Sequence, residues 1–326
     1  MSKYYSVCKY ILILMFFVSG CDNSASVSPI KHTPQDQMEI QNYLNRVKAD
    51  LVYVKGGTFW MGDFCKKMRD GGPYCSPEKD TKPLHEVELS SYSIGRFKVT
   101  HEDYKFYLKM AGLPEQRFDK KWRNDILAEM THFKNSPAVV TWIEANNYCR
   151  WLKNESGLPF SLPTEAQWEY AARSRGGNIL VATDDGVWRE NEKNGQGENY
   201  ATDEDRRKVE EQFGINTLSV SFPVDKYPPT SFGLYGMADN GYEWVKDWYD
   251  PDYYKYSPRK DPQGPEKPVI KDEDTGQYWK VRRGGDHPDP TGDVGLTFFR
   301  GYNIPDNDFP DGTTVRCVVN SPESIK

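Results

Sequence analysis

Leu162-Pro163-Thr164-Glu165-Ala166-Gln167-Trp168-Glu169-Tyr170-Ala171-Ala172-Arg173 is the stretch on which the fold is read. Thr164 and Gln167 stand three apart, the spacing at which each side chain satisfies a free backbone N–H of the other at a helix start. The segment predicts a helix over 165–173, stopped by Gly176-Gly177. Upstream the same device recurs. Thr100 with Asp103 opens 101–110, and Thr141 with Glu144 opens 142–154, which Gly157 stops. In that helix Ala145, Tyr148, Cys149 and Leu152 share one face, which turns Cys149 toward the core.

Further out, Val52-Tyr53-Val54-Lys55-Gly56-Gly57-Thr58-Phe59-Trp60-Met61-Gly62 alternates apolar residues around a Gly pair and predicts two strands and a turn. Short strands are expected at 87–89 and 92–94. Beyond 177 regular patterns fade. Residues 178–230 are polar, with a charge run at 203–211, and short strands return at 279–282 and 314–318. Few helices, much loop and many Trp and Tyr predict an α+β domain of low regular content. A polar helix is expected over 37–49, leaving about 275 residues for the globular part.

The first twenty residues have the form of a signal peptide. Lys3 and Lys9 are a basic start, and 10–18 is an apolar run too short for a typical spanning helix. Val18-Ser19-Gly20-Cys21 has the small residues of a bacterial lipobox, which predicts cleavage before Cys21 and a lipid on its sulfur. Asp22 after Cys21 resembles the signal for retention in the inner membrane, so the expected location is the periplasmic side of that membrane rather than the outer one. The expected division is a leader over 1–20, a lipidated cysteine and tether over 21–49, and a domain over 50–320.

Loss of Lys3 and Lys9 takes the formal net charge from −6 to −8. An acidic surface argues against nucleic acid and anionic lipid as partners and permits a basic protein partner. Cys8 leaves with the leader and Cys21 takes the lipid. Cys65, Cys75, Cys149 and Cys317 remain, an even set that suits an oxidising compartment and allows three pairings. Cys65 and Cys75 flank Asp70-Gly71-Gly72-Pro73, a natural loop closure. Cys149 with Cys317 would then close a long loop, worth about 4–5 kcal/mol in the chain-entropy model.

Nine blocks of the chain, in order, resemble the formylglycine-generating-enzyme (sulfatase-modifying factor) family. They include Gly56 to Gly62, Pro83 to Val87, Lys98-Val99-Thr100, Ser136 to Val139, Ala145 to Leu152, the 162–173 stretch, Phe232 to Met237, Asn240-Gly241-Tyr242-Glu243-Trp244-Val245 and Arg283-Gly284-Gly285. The resemblance implies a C-type-lectin-like fold and supports a Cys149–Cys317 bridge.

It also implies where the chemistry should sit. The family's enzymes hold copper with two cysteines shortly after the Arg-Gly-Gly block, and a thiolate pair suits Cu(I). Here that segment reads Asp286-His287-Pro288-Asp289-Pro290-Thr291-Gly292-Asp293-Val294, without a thiol. No copper is expected, and formylglycine formation by that mechanism is disfavoured. Asn240, Gly241 and Glu243 match a family calcium loop of hard oxygen donors, and Asp239, where glycine is usual, adds another oxygen. The remaining catalytic candidates are Asp286, His287, Asp289 and Arg300, an acidic cluster with one histidine that could supply a general base or hold a divalent metal. The plainer reading of that segment is a solvated acidic loop. Thiol-histidine biosynthesis needs an iron-binding domain rich in histidine. This chain has five histidines, none in that arrangement.

Two readings follow. The first is a lipid-anchored, non-catalytic domain that binds a periplasmic or envelope protein; family members of this kind accompany type VI secretion clusters or serve as immunity lipoproteins. The second is an oxidase-type enzyme using a non-cysteine, metal-dependent site in 286–300. Trp142, Trp151, Trp168, Trp244 and Trp248 lie in or beside the motifs and are expected to fill the core.

Overall fold

The computed structural model describes residues 31–191, 196–216, 220–285, 294–307 and 309–325. Residues 32–326 form one compact unit. The leader, Cys21 and most of the expected tether lie outside the described residues, as do Asp286, His287 and Asp289.

The described chain starts with α1 (Pro34–Ala49), capped by Thr33 and Asp36 with Pro34 in the first turn. The expected helix thus begins three residues early, because Pro34 fixes φ where no helical N–H is needed. Ile40, Tyr43 and Leu44 of α1 are buried. The helix therefore belongs to the domain rather than to a tether. β1 (Leu51–Val54), β2 (Gly57–Met61), α2 (Cys65–Met68), β3 (His85–Leu89) and β4 (Tyr92–Gly95) follow. Then come α3 (His101–Met110), α4 (Lys121–Met130), α5 (Trp142–Ser156), β5 (Phe160–Ser161) and α6 (Glu165–Ala172). Thr100, Thr141 and Thr164 each accept from a backbone N–H three residues on, as their spacing predicts. Gly157 ends α5 in the left-handed region at φ 69°. α7 (Asp203–Phe213) occupies the expected charge run. β6 (Tyr242–Trp248), a 3-10 turn at Tyr253–Lys255, β7 (Lys280–Arg283), β8 (Gly301–Asn303), β9 (Thr313–Thr314) and β10 (Val318–Val319) complete the described elements.

One sheet has the order β1-β4-β10-β5, all antiparallel, with Val318 opposite Ile94 on one side and Ser161 on the other. A second has the order β8-β7-β6-β9, with β6 and β9 parallel. β2 and β3 pair separately. The single strand expected at 314–318 is two, because the chain crosses there from one sheet to the other. Thr314 pairs with Glu243 and Val318 with Ile94. Arg316 sits fully buried at the crossing.

The core falls into clusters on either side of these sheets. One joins α1, α3 and α5 around Tyr43, Tyr104, Tyr107, Tyr148 and Trp151, with the Cys149–Cys317 bridge among them. Another gathers Phe59, Phe64, Val87, Tyr92, Trp168, Tyr170, Val281 and Phe298 around α6. Both expected disulfides form, Cys65–Cys75 and Cys149–Cys317. Trp168 and Trp244 are fully buried and Trp151 nearly so.

Candidate functional site

Every residue of α6 is buried, its two glutamates included. Burying a carboxylate is costly unless cations and donors meet it. They do. Glu165 Oε1 accepts from Arg283 Nη1 at 2.6 Å and Arg300 Nε at 2.7 Å, and Tyr254 reaches the same oxygen at 3.2 Å. Glu169 Oε2 accepts from Arg283 Nη2 at 2.9 Å, and Oε1 accepts from Arg173 Nη1 and the Gly62 N–H. Burial pushes the Glu165 carboxyl upward, but Arg300 and Arg283 outweigh it and hold it below the usual carboxylate range. Arg300 also donates to the backbone carbonyls of Asp80 and Asp250. The structure thus removes Arg300 from the acidic surface cluster in which the sequence put it. It is a core residue, 4 % exposed, with its guanidinium spent.

α6 also reaches the expected calcium loop. Trp168 Nε1 donates to Glu243 Oε2 at 3.0 Å, and Arg316 donates to both Glu243 oxygens, at 3.0 and 2.9 Å. Burial would raise the Glu243 carboxyl, and Arg316 and Lys98 hold it down instead. Asn240 turns at φ 60° and its side-chain amide brackets Phe222, accepting from its N–H and donating to its carbonyl. Asp239 Oδ2 accepts from the Ala201 N–H at 2.8 Å, and burial raises this carboxyl. The Lys98 ammonium donates to the Asp239 carbonyl at 2.9 Å and to the Gly241 carbonyl, and lies 3.7 Å from Glu243 Oε1. Asp239, Gly241 and Glu243 of the four residues expected to hold calcium converge, but on a lysine, while the Asn240 side chain is spent on Phe222. As folded, this donor set does not fit a calcium ion.

The third region is the neck of the 286–293 segment. Gly284 is left-handed at φ 78°, and a Cβ there would lie 2.9 Å from the Met237 carbonyl. A Cβ on Gly285 would lie 3.1 Å from both the Ala238 carbonyl and Val294, and one on Gly295 would lie 2.8 Å from Trp188. The chain therefore leaves and returns at one point, pinned against 237–238. Only glycine allows so close an approach. All four cysteines of residues 31–326 are in disulfides.

The sequence showed Lys98, Glu165 and Glu169 inside its motifs and Arg316 in an expected strand, but gave no sign of their partners. Glu243 and Arg316 are 73 residues apart, and Lys98 and Gly241 are 143 apart. The one available hint was a motif dense in Glu and Arg amid aromatic residues.

This arrangement, α+β with small sheets and long loops around a charged core helix, is the C-type-lectin-like class. PvdO from Pseudomonas aeruginosa superposes on it with a TM-score of 0.58 at 23% identity, covering 82% of this chain and 93% of that one. Treponema denticola variable protein 1 does so at 0.53 and 19%, covering 83% and 95%. Residues 37–320 match the sulfatase-modifying factor enzyme 1-like domain, and the chain belongs to that family. It is 30% identical to the formylglycine-generating enzyme of Streptomyces coelicolor over 66% of this chain and 74% of the enzyme. It is 29% identical to the serine/threonine-protein kinase pkn1 of Chlamydia caviae over 73% of this chain, and spans 33% of the kinase. A mouse relative, inactive C-alpha-formylglycine-generating enzyme 2, is 25% identical over 62% of this chain and 70% of its own.

Proposed function

We propose that this chain is a lipid-anchored envelope protein whose formylglycine-generating-enzyme-like domain is a non-catalytic docking body for a protein partner. One observation carries the reading. No thiol stands in 286–294, and the four cysteines of the domain are already paired with one another. A copper-thiolate oxidation has nothing to start from. The mouse relative named inactive supports the idea that this scaffold persists without turnover.

A binding surface of suitable chemistry lies on α4. Trp122 is 51 % exposed and meets the half-exposed Phe309 ring at 5.7 Å, with Ile143 exposed nearby. A recess of about 300 Å³ beside them is lined by Arg117, Phe118, Arg123, Ile143 and Asn307. Exposed Trp with Arg around it is the composition of interface hot spots. Its charged rim is mixed, Arg117 and Arg123 standing with Asp119, Glu144 and Asp306, which suits an envelope protein with an apolar patch ringed by charges of both signs. Cys21 supplies the anchor and Asp22 the retention on the inner membrane; a type VI secretion or immunity role belongs to the same proposal.

The test uses the full chain in detergent. Crosslinked envelope proteins are recovered with wild type and with Trp122→Ala/Phe309→Ala, and dioxygen uptake is followed with copper and a cysteine-containing peptide. The expected outcome is a discrete partner that the double variant loses and no dioxygen uptake. Turnover that consumes dioxygen overturns the reading. Loss of that turnover in His287→Ala would establish the enzymatic alternative.

A further inference from the structure

We propose that the ammonium of Lys98 is the resident cation of the 239–243 loop, standing where calcium would sit, so that the loop holds its shape without a metal. The donor chemistry is that of a cation site. Asn240 and Gly241 are both left-handed, at φ 60° and 100°, and this turn leaves the carbonyls of Asp239 and Gly241 on one side. Both carbonyls accept from Lys98 Nζ, and the Glu243 carboxylate lies 3.7 Å away as the counter-charge. Two N–H donors of the ammonium meet these carbonyls, and the carboxylate, beyond hydrogen-bond reach, balances its charge.

The lysine is built in rather than resting there. It is 3 % exposed, and a Cβ on Gly236 would lie 3.5 Å from its Cε, so the stem runs against that turn. The backbone on its C-terminal side is clamped. Val99 N–H donates to the Val315 carbonyl, and the Val99 carbonyl accepts from Ala138 N–H. Glu243 Oε2 is taken by Arg316 and Trp168, whereas Oε1 accepts from Arg316 and turns its remaining lone pair to the side where Lys98 stands. A calcium ion needs six to eight oxygens at about 2.3–2.6 Å. To enter, it would have to share two carbonyls with an ammonium a few ångströms away, a like-charge contact with little solvent to screen it.

Removal of the lysine should therefore turn the loop into a calcium site. The full chain is compared in detergent, in calcium and in EDTA, by thermal unfolding and by metal analysis after gel filtration. The wild type should carry no stoichiometric calcium and unfold at the same temperature in both. Lys98→Ala should unfold on the order of 5–10 °C lower in EDTA, as expected when one partner of a buried ion pair is lost. Calcium should restore much of that loss in a saturable way. Lys98→Met, which keeps the stem and fills the space, should be destabilised without calcium rescue. A wild type that retains one calcium per chain and loses stability in EDTA overturns the proposal. So does a folded Lys98→Ala whose unfolding temperature ignores calcium. Should Lys98→Ala fold only in calcium, the proposal stands; should it fold in neither, the wild-type metal content decides.

Discussion

Arg300 lies flat against Glu165, Nε to Oε1 at 2.7 Å and Nη2 to Oε2 at 3.0 Å, and neither side chain is more than 1 % exposed. This two-point contact ties the strand-rich C-terminal region to α6. Arg300→Met leaves Glu165 with Arg283 and the Tyr254 hydroxyl and should cost about 3–5 kcal/mol. Arg300→Lys should recover little, because one ammonium cannot span both carboxylate oxygens and the carbonyls of Asp80 and Asp250. Urea unfolding measures both. Partner capture well below the unfolding transition should be unchanged, and its loss in a folded Arg300→Lys would return the residue to the functional candidates.

Asp247 predicts a pH dependence. Its Oδ2 accepts from the Glu165 N–H at 2.8 Å, and burial together with the Glu165 charge pushes its carboxyl up to about 7. A folded value above the unfolded one means that the native state binds the extra proton. This contribution to stability is intact below about pH 4 and is lost as the pH rises toward 7. Asp247→Asn, neutral throughout, should match wild type in acid and gain on it up to pH 7, by at most about 1.4 kcal/mol per pH unit. A flat difference between the two urea-unfolding curves across that range contradicts the burial argument.

The two disulfides should differ in weight. Their sequence separations are 168 for Cys149–Cys317 and 10 for Cys65–Cys75. In the chain-entropy model those loops are worth about 5 and about 3 kcal/mol. Cys149→Ala/Cys317→Ala should therefore be the more destabilised double variant by chemical denaturation. Equal losses would indicate that α2 and its loop carry more of the fold than their size suggests.

The anchor has its own test. Wild type expressed with radiolabelled palmitate should carry the label and fractionate with the inner membrane. Cys21→Ser should lose the label, and Asp22→Ser should move the protein toward the outer membrane. Label retained in Cys21→Ser would place the lipid elsewhere or remove it from the proposal.

Local signals carried the sequence reading. The caps at Thr100, Thr141 and Thr164 act over three residues, so their helices were legible to within two residues. Besides the single turn of α2, two helices were missed for opposite reasons. α7 has the same device in Thr202 and Asp205, hidden in a charge run. α4 starts at Lys120 with no side-chain cap at all and is held by burial of Leu127 and Met130. The family blocks were likewise visible, because each is a contiguous run.

What the sequence determined by itself was the order of the capped helices α3, α5 and α6, the α+β class, the even set of domain cysteines and the absence of a thiol in 286–294. Only the tertiary structure decided that Arg300 belongs to the core and that Asp239, Gly241 and Glu243 face Lys98. Capping and patterning are set by neighbours along the chain, whereas a buried charge takes its meaning from whichever opposite charge the fold brings to it. That partner can lie more than a hundred residues away, as Arg300 does from Glu165.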